Sequence, residues 1–437
     1  MAKVMFFGLG AVASVMATAW YELCEKYGLD KPTFIFIVRN KTKAIEYLWK
    51  SLKVLERSVF VEISDFNNLE AEILKNKDAF IGVDLCINAS LPDFNAPIQR
   101  ISLAIGSHYC DLASDMYNNE TLEKLSFLQF QYYDDFRARG VFSLINIGVS
   151  PGLTNFLVGE KILAWQRLSP AVDIRSIDIF LLEDIVSEKI LFSWSPKVAI
   201  EELKQHPRYL EKGRLSSIEP FSQSQEYQFL FRNILTTEYP IFQEEVLSLH
   251  NSFPNIPNIK IYTGGGEVEI IKTLYQLNLL SEARVDCAGN EASLTKILDS
   301  ILPGILSPKQ VHEIVMQKLI KHAQFAASIE IVLGISEKSF GGTEELIVEK
   351  LGIYFNDYIQ LKDTNYAGST YISYPTGVSA AVLLFHTYLS WLNSNHKIVG
   401  VITSEAIPAL LNPDSVENIK KDLVSYRLIF TSELSKK

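Results

Sequence analysis

Short, nearly unbroken apolar runs alternate with stretches of helical periodicity through the first third of the chain. Lys3–Phe7 is apolar after its first residue and ends in Gly8-Leu9-Gly10-Ala11-Val12-Ala13; a helical stretch then runs to Lys26, with Gly28 placed to end it. Thr33–Val38 is all β-branched and aromatic, the composition of a strand buried on both faces. The alternation continues with a helical run Thr42–Leu55, a strand Ser58–Ile63, a helix Leu69–Lys75 and a strand Val83–Asn88. A helix Ala96–Ile105, a strand His108–Leu112, a long helix to Arg139 and a strand Val141–Ile147 complete it. Strand and helix in strict alternation predict an α/β fold: a Rossmann, doubly wound parallel sheet with helices on both faces.

The texture changes after Pro151. Strand-like runs at Arg175–Leu182, Lys189–Ser193 and Lys260–Thr263 precede a helical block from Glu267 to Ala326, and Ser328–Leu333, Leu346–Tyr354 and Thr370–Tyr374 read as further strands. Val378–Leu392 and Pro413–Tyr426 read as helices that return to pack on the first domain. A chain of 437 residues exceeds one hydrophobic core. The expected division gives 1–148 and about 393–437 to the Rossmann domain, 149–266 and 327–392 to an α+β substrate and dimerisation domain, and 267–326 to a helical insertion.

Composition narrows the class. Hydrophobic residues at 48% and charged residues at 21% fit a globular protein, and a formal charge of -10 leaves no basic footprint for nucleic acid or an anionic membrane. Cys24, Cys86, Cys110 and Cys287 lack metal or disulfide-framework spacing, so free thiols in a reducing compartment and no metal site are expected. The start of the chain, with Ala17-Thr18-Ala19, has the look of a signal peptide, but Gly8 and Gly10 interrupt its apolar stretch and cleavage would remove the first strand. Val378–Leu392 is too short for a membrane span and contains His386 and Ser390. A cytoplasmic protein acting on a small molecule follows, with a homodimer as the expected assembly.

The chemistry begins at the glycine turn. Gly8 permits a tight turn, Gly10 lets the backbone approach a pyrophosphate, and Ala13 allows close helix packing, while Ala11 and Val12 offer amides at the helix N-terminus. The second strand ends in Arg39 and Asn40, followed by Lys41 and Lys43, where an NAD-binding unit carries Asp or Glu; a guanidinium suits a 2'-phosphate, so NADP is favoured with NAD possible. The same basic residues also read as a solvated helix start. Asp65 reads as an adenine contact or as a helix N-cap. Asn88, Ala89 and Ser90 form either a loop along the cofactor or an ordinary strand-end turn. Asp111, with Tyr109 beside it, is the candidate acid–base group or a buried cap, and His108 reads more readily as a core histidine than as a catalyst.

The run Asp84–Asp111 (DLCINASLPDFNAPIQRISLAIGSHYCD) resembles the saccharopine dehydrogenase family, in its glutamate-forming reductase and carboxynorspermidine dehydrogenase branches. Asn146–Asn155 (NIGVSPGLTN), Phe192–Pro196 (FSWSP), Lys212–Phe221 (KGRLSSIEPF) and the Tyr374-Pro375-Thr376-Gly377 turn are similar to further motifs of that family. The resemblance implies NAD(P)H-dependent reduction of an imine formed from an amine and an aldehyde, in amino-acid or polyamine metabolism. It implies Lys197 as a binder of a substrate carboxylate, Arg214 as a second cation, and Trp194 and Ser150 on the substrate side. Two departures weaken saccharopine itself as substrate. The family's Asp-Pro-Gly turn is here Ser150-Pro151-Gly152, and its Gly-Gly-Leu-Pro loop has no counterpart in Leu182–Glu188. A dinucleotide-binding sensor or scaffold without turnover, and a synthase that keeps NAD bound as homospermidine synthases do, remain the alternatives.

Overall fold

The structure, a computed structural model, describes residues 2–436 apart from 117–123, 170–171, 189–190, 193–195, 282, 288–289, 303, 305, 337–343, 356–357 and 396. The apolar runs become strands β1 (Lys3–Phe7), β2 (Thr33–Val38), β3 (Ser58–Glu62), β4 (Leu85–Asn88), β5 (His108–Asp111) and β6 (Phe142–Ile145). With Gly400–Thr403 they make a seven-stranded sheet, in the order Gly400–Thr403, β6, β5, β4, β1, β2, β3. Every pairing in it is parallel. Alternate residues feed the two faces: Val4 and Phe6 point into one core, Met5 and Phe7 into the other. The order reverses between β4 and β1, so their carboxyl ends open the crevice in which such sheets bind ligands.

One face is covered by α1 (Ala11–Lys26) and the long helix Ser373–Asn393. They pack closely: a Cβ on Gly377 would lie 2.6 Å from Val15 Cβ, and Trp20 meets the Phe385 ring at 5.4 Å. The expected strand Thr370–Tyr374 is therefore a helix start, which belongs with the first sheet. Its cause is a reciprocal cap: Thr370 N–H donates to Ser373 Oγ at 2.8 Å, and Ser373 N–H to Thr370 Oγ1 at 2.9 Å.

After Pro151 the chain builds a nine-stranded mixed sheet around β7 (Asp173–Ser187). This strand runs parallel to Ile259–Gly264 and antiparallel to Ile320–Ser336. The expected helix through Ala326 stops at Met316, because the alanine-rich segment from Ile320 pairs along β7 instead. The insertion holds helices Gly266–Gln276, Leu294–Ile301 and Pro308–Met316, with a hairpin of Arg284–Cys287 and Asn290–Ser293. The last strand, Ile429–Lys436, joins this second sheet by pairing with Glu344–Phe355, so the tail is shared between the two sheets. Of the expected strand Lys189–Ser193, residues 189–190 and 193 lie outside the described residues and Leu191-Phe192 is in no strand. The hairpin implied by resemblance forms from Arg208–Glu211 and Arg214–Ser217, with positive φ at both Lys212 and Gly213, as a two-residue turn of type I′ requires. Among the described residues no helix is long and apolar enough to cross a membrane.

Candidate active site

The glycine turn closes over the sheet's crevice. Gly8 has φ +97°, and a Cβ there would lie 2.9 Å from the carbonyl oxygen of Ala89, so only glycine brings the turn against the loop after β4. Gly8 N–H bonds Ile37 O at 2.9 Å and Ala89 N–H bonds Phe7 O at 3.0 Å, tying three strand ends together. Gly10 is different. Its backbone is extended, it caps α1 without any side-chain hydrogen bond, and a Cβ on it would meet nothing within 4 Å. The amides of Ala11, Val12 and Ala13 thus form a bare helix N-terminus, with no acidic residue in the first turn and open space ahead of it. These residues fit a dinucleotide pyrophosphate.

At the end of β2, Arg39 is exposed and in no ion pair with a described residue. Asn40 caps the helix Lys41–Glu46 through Lys43 N–H at 2.9 Å, and Glu62 takes the Lys41 N–H at 2.9 Å. Asp65 accepts from Asn67 N–H at 3.0 Å and Asn68 Nδ2 at 2.8 Å. Asn40 and Asp65 are caps in this structure, as short polar side chains at helix starts usually are. Asn88 spends its amide on its own loop: Oδ1 accepts from Ser90 N–H and Oγ–H at 3.0 and 2.7 Å, and Nδ2 donates to Leu91 O at 3.0 Å and Asn95 Oδ1 at 2.7 Å. It shapes the loop that offers half-buried Ala89 and exposed Ser90 to the crevice.

The ends of β5 and β6 hold a buried polar network. Asp111, 1% exposed, accepts from Asn146 N–H at 2.7 Å, Tyr109 Oη–H at 3.0 Å and Gln129 Nε2 at 3.2 Å. Tyr109 and Asp111 are two residues apart and share a strand face; the tyrosine hydroxyl also meets Asn95 Oδ1 at 3.0 Å. Tyr109, fully buried as Asp111 and Glu245 are, holds the Asp111 carboxylate through its hydroxyl. His108 is a core histidine: it stacks on Phe142 at 4.1 Å, meets the Trp391 edge at 4.3 Å, and burial lowers its pKa to about 3.

The groups that the sequence did not single out come from the helix Glu244–Ser252, whose N-terminus docks on the loops after β5 and β6. Ser114 N–H donates to Glu244 Oε1 at 2.9 Å, and the hydroxyls of Ser150 and Thr154 donate to Glu245 Oε1. Glu245 is 0% exposed, and its Oε2 has no partner among the described residues. The carboxylate that the resemblance leads one to expect at position 150 is therefore supplied through space, with Ser150 as its hydrogen-bond donor. Burial raises Asp111, Glu202, Glu244 and Glu245 each to about 7. Between pH 4 and 7 the folded protein binds more protons than the unfolded chain, so stability falls as pH rises through that window. The melting temperature of the ligand-free protein should drop from pH 5 to pH 8, and Glu202→Gln should flatten that slope; a flat wild-type profile in calorimetry would refute it.

The expected substrate cations lie elsewhere. Lys197 and Arg214 are both exposed, on the helix Pro196–Lys204 and on the hairpin, and neither meets these carboxylates. Trp194 lies outside the described residues. No cluster of His, Cys, Asp and Glu among the described residues could hold a metal ion.

Fold and glycine turn together define a class: a Rossmann domain whose first turn fits a dinucleotide, joined to a second, mixed-sheet domain. No protein-family model matches the chain. It is 23% identical over 312 residues to carboxyaminopropylagmatine dehydrogenase of Synechocystis sp., an alignment covering 69% of this chain and 73% of that protein. Its structure is similar to apo histidine-tagged saccharopine dehydrogenase (L-Glu forming) of Saccharomyces cerevisiae, with a TM-score of 0.64 at 12% identity and 100% of each chain covered. The fold is that of saccharopine dehydrogenase, and the resemblance to the saccharopine and carboxynorspermidine dehydrogenases holds.

Proposed function

We propose that the protein is an NAD(P)H-dependent reductase that joins an amine to an aldehyde by reducing the imine between them to a secondary amine. The observation that carries this reading is the placement of Glu244 and Glu245 on the loops after β5 and β6, at the same sheet edge as the bare N-terminus of α1. The names of the two similar proteins, both dehydrogenases, support it. When bound, the nicotinamide supplies a hydride to the imine carbon, and the imine nitrogen takes up a proton. Glu245 is suited to give that proton: Ser150 and Thr154 fix one oxygen, the other is free, and a carboxyl near 7 is part protonated at neutral pH. Asp111 holds the loop after β6 in place through Asn146 rather than meeting substrate. With this reading go a cytoplasmic location and a homodimer.

The test is oxidation of NADPH and NADH by purified protein offered amine and aldehyde pairs. Oxidation that requires both partners supports the proposal; binding of neither nucleotide would put the scaffold reading in its place. Arg39 supports NADP over NAD, because an exposed guanidinium with no ion pair among the described residues is available to a 2'-phosphate. Arg39→Ala should weaken NADPH binding by about tenfold, roughly 1.4 kcal/mol, with NADH unchanged. Nicotinamide fluorescence titration reads both, and equal loss for the two nucleotides would remove Arg39 from the 2'-phosphate site.

A further inference from the structure

The helix Glu244–Ser252 is held at a second point besides Glu245. Residues 245, 248 and 252 share one face of it, the last two about one and two turns beyond the first. On that face Glu245 meets Thr154 and Ser248 meets Asn155, both from the start of the helix Leu153–Leu168. The second point is Glu405, which follows the edge strand Gly400–Thr403 of the first sheet and is 2% exposed. Its Oε1 accepts from Ser252 Oγ at 2.7 Å, and its Oε2 accepts from Asn155 Nδ2 at 3.2 Å and Ser248 Oγ at 3.5 Å. Asn155 Nδ2 also donates to Ser248 Oγ at 2.7 Å. The contacts run on to the acid. Asn155 Oδ1 accepts from Gly152 N–H at 3.1 Å, and Thr154 Oγ1 stands 3.3 Å from both Asn155 Oδ1 and Glu245 Oε1. The packing here is close: a Cβ on Gly159 would lie 2.1 Å from Glu405 O, so only glycine lets the helix Leu153–Leu168 approach this segment.

Glu405 is held by three neutral donors, with no lysine, arginine or histidine paired to it among the described residues. Such a carboxylate costs more to bury than a leucine of similar volume. Stability does not explain it, and geometry does. Contact at Glu245 alone leaves the helix free to pivot about its first turn, whereas a second attachment, two turns along, fixes both its rotation and its slide. We propose that Glu405 is a positioning residue, which through Asn155, Ser248 and Ser252 sets where the Glu245 carboxyl stands relative to Ser150 and Thr154. The inference rests on the reductase reading above and adds the third chain segment that aims the acid. A reacting group displaced by about 1 Å loses up to about a hundredfold in rate, so the clamp acts on kcat.

The test compares Glu405→Leu, Glu405→Gln and Ser252→Ala by the kinetics of imine reduction and by infrared titration of the Glu245 carboxyl in ligand-free protein, its band assigned with Glu245→Gln. Glu405→Leu should lower kcat at least about tenfold, with KM, dinucleotide affinity and melting temperature held. Its Glu245 titration should move up by about half a pH unit, because slackened bonds from Ser150 and Thr154 no longer hold the carboxyl down. Glu244 and Glu202, the other carboxyls facing Glu245, are unaltered by the substitution. Glutamine can accept from Asn155 and donate to Ser252, so Glu405→Gln should stay within about threefold of wild type. Ser252→Ala, at an exposed position, should act as Glu405→Leu does but less, and it carries the test should the leucine variant fail to fold. In the Glu245→Gln background Glu405→Leu should add less than about twofold, since an acid that is gone cannot be misaimed. A loss that multiplies with Glu245→Gln, a Glu245 titration unmoved by both Glu405→Leu and Ser252→Ala, or a glutamine as damaging as leucine would each overturn the proposal. The two readings fail separately. A titration that moves in protein without imine reduction would sink the reductase and keep the clamp, whereas reduction with an unmoved titration would do the reverse.

Discussion

Gly10→Asp should leave the protein folded, slightly more stable, and unable to hold a dinucleotide. Gly10 is the N-cap of α1 in extended backbone, φ -114°, which any residue adopts, and a Cβ there meets nothing within 4 Å. Aspartate is among the best N-caps, and its carboxylate would bond the free amides at the head of α1 for about 1 kcal/mol of stability. Those are the amides a pyrophosphate needs, and the new charge repels it. NADPH affinity should fall at least about a hundredfold, roughly 2.7 kcal/mol, with an unchanged or raised melting temperature. Gly8→Asp is the contrast. With φ +97° and Ala89 O in the way it should lower the melting temperature as well as the affinity, since both strain and collision act on the turn itself. Wild-type NADPH affinity in Gly10→Asp would mean that no dinucleotide lies over this turn.

How much of this could be read from the sequence depends on what each segment packs against. The strands β1 to β6 were legible because their apolar runs report burial on both faces, and the glycine turn because its spacing answers a backbone requirement. Gly400–Thr403 was missed: four residues entering the sheet beside β6 leave too short a run to stand out. The segment from Ile320 reads as helix by its alanines and forms a strand because β7 offers it a long partner. Thr370 and Ser373, three apart, were a cap that read as the end of a strand.

The site shows the same division. Tyr109 and Asp111 were found, but their joint orientation toward Asn95 and Gln129 depends on which sheet face is covered, which the sequence pattern does not give. Glu244 and Glu245 escaped notice because acidic residues in the first turn of a helix are what the helix dipole favours anyway. Their meaning lies in docking onto Ser114 and Ser150, about a hundred residues away in the chain. Glu183 sits in the segment that looked like a missing loop and is instead the continuation of β7 to Ser187.

That exchange of a carboxylate between two chain segments makes the strongest test of the chemistry. Glu245→Gln should lower kcat/KM for imine reduction by about 10²–10³-fold, the range for losing a general acid, with dinucleotide affinity unchanged. The wild-type rate should fall as pH rises past about 7, where Glu245 loses its proton, and this limb should vanish from the residual activity of the variant. Ser150 touches the same carboxylate, so Ser150→Asp in the Glu245→Gln background puts an acid back from the other side of the contact. The double variant should recover at least about tenfold of the loss and regain a pH limb. Ser150→Asp alone should do harm, because two carboxylates in contact cannot both ionise and one is pushed far up. A Glu245 that served only to fix the domain junction would give a different pattern: glutamine would keep its hydrogen bonds with Ser150 and Thr154, kcat would hardly change, and the pH limb would remain.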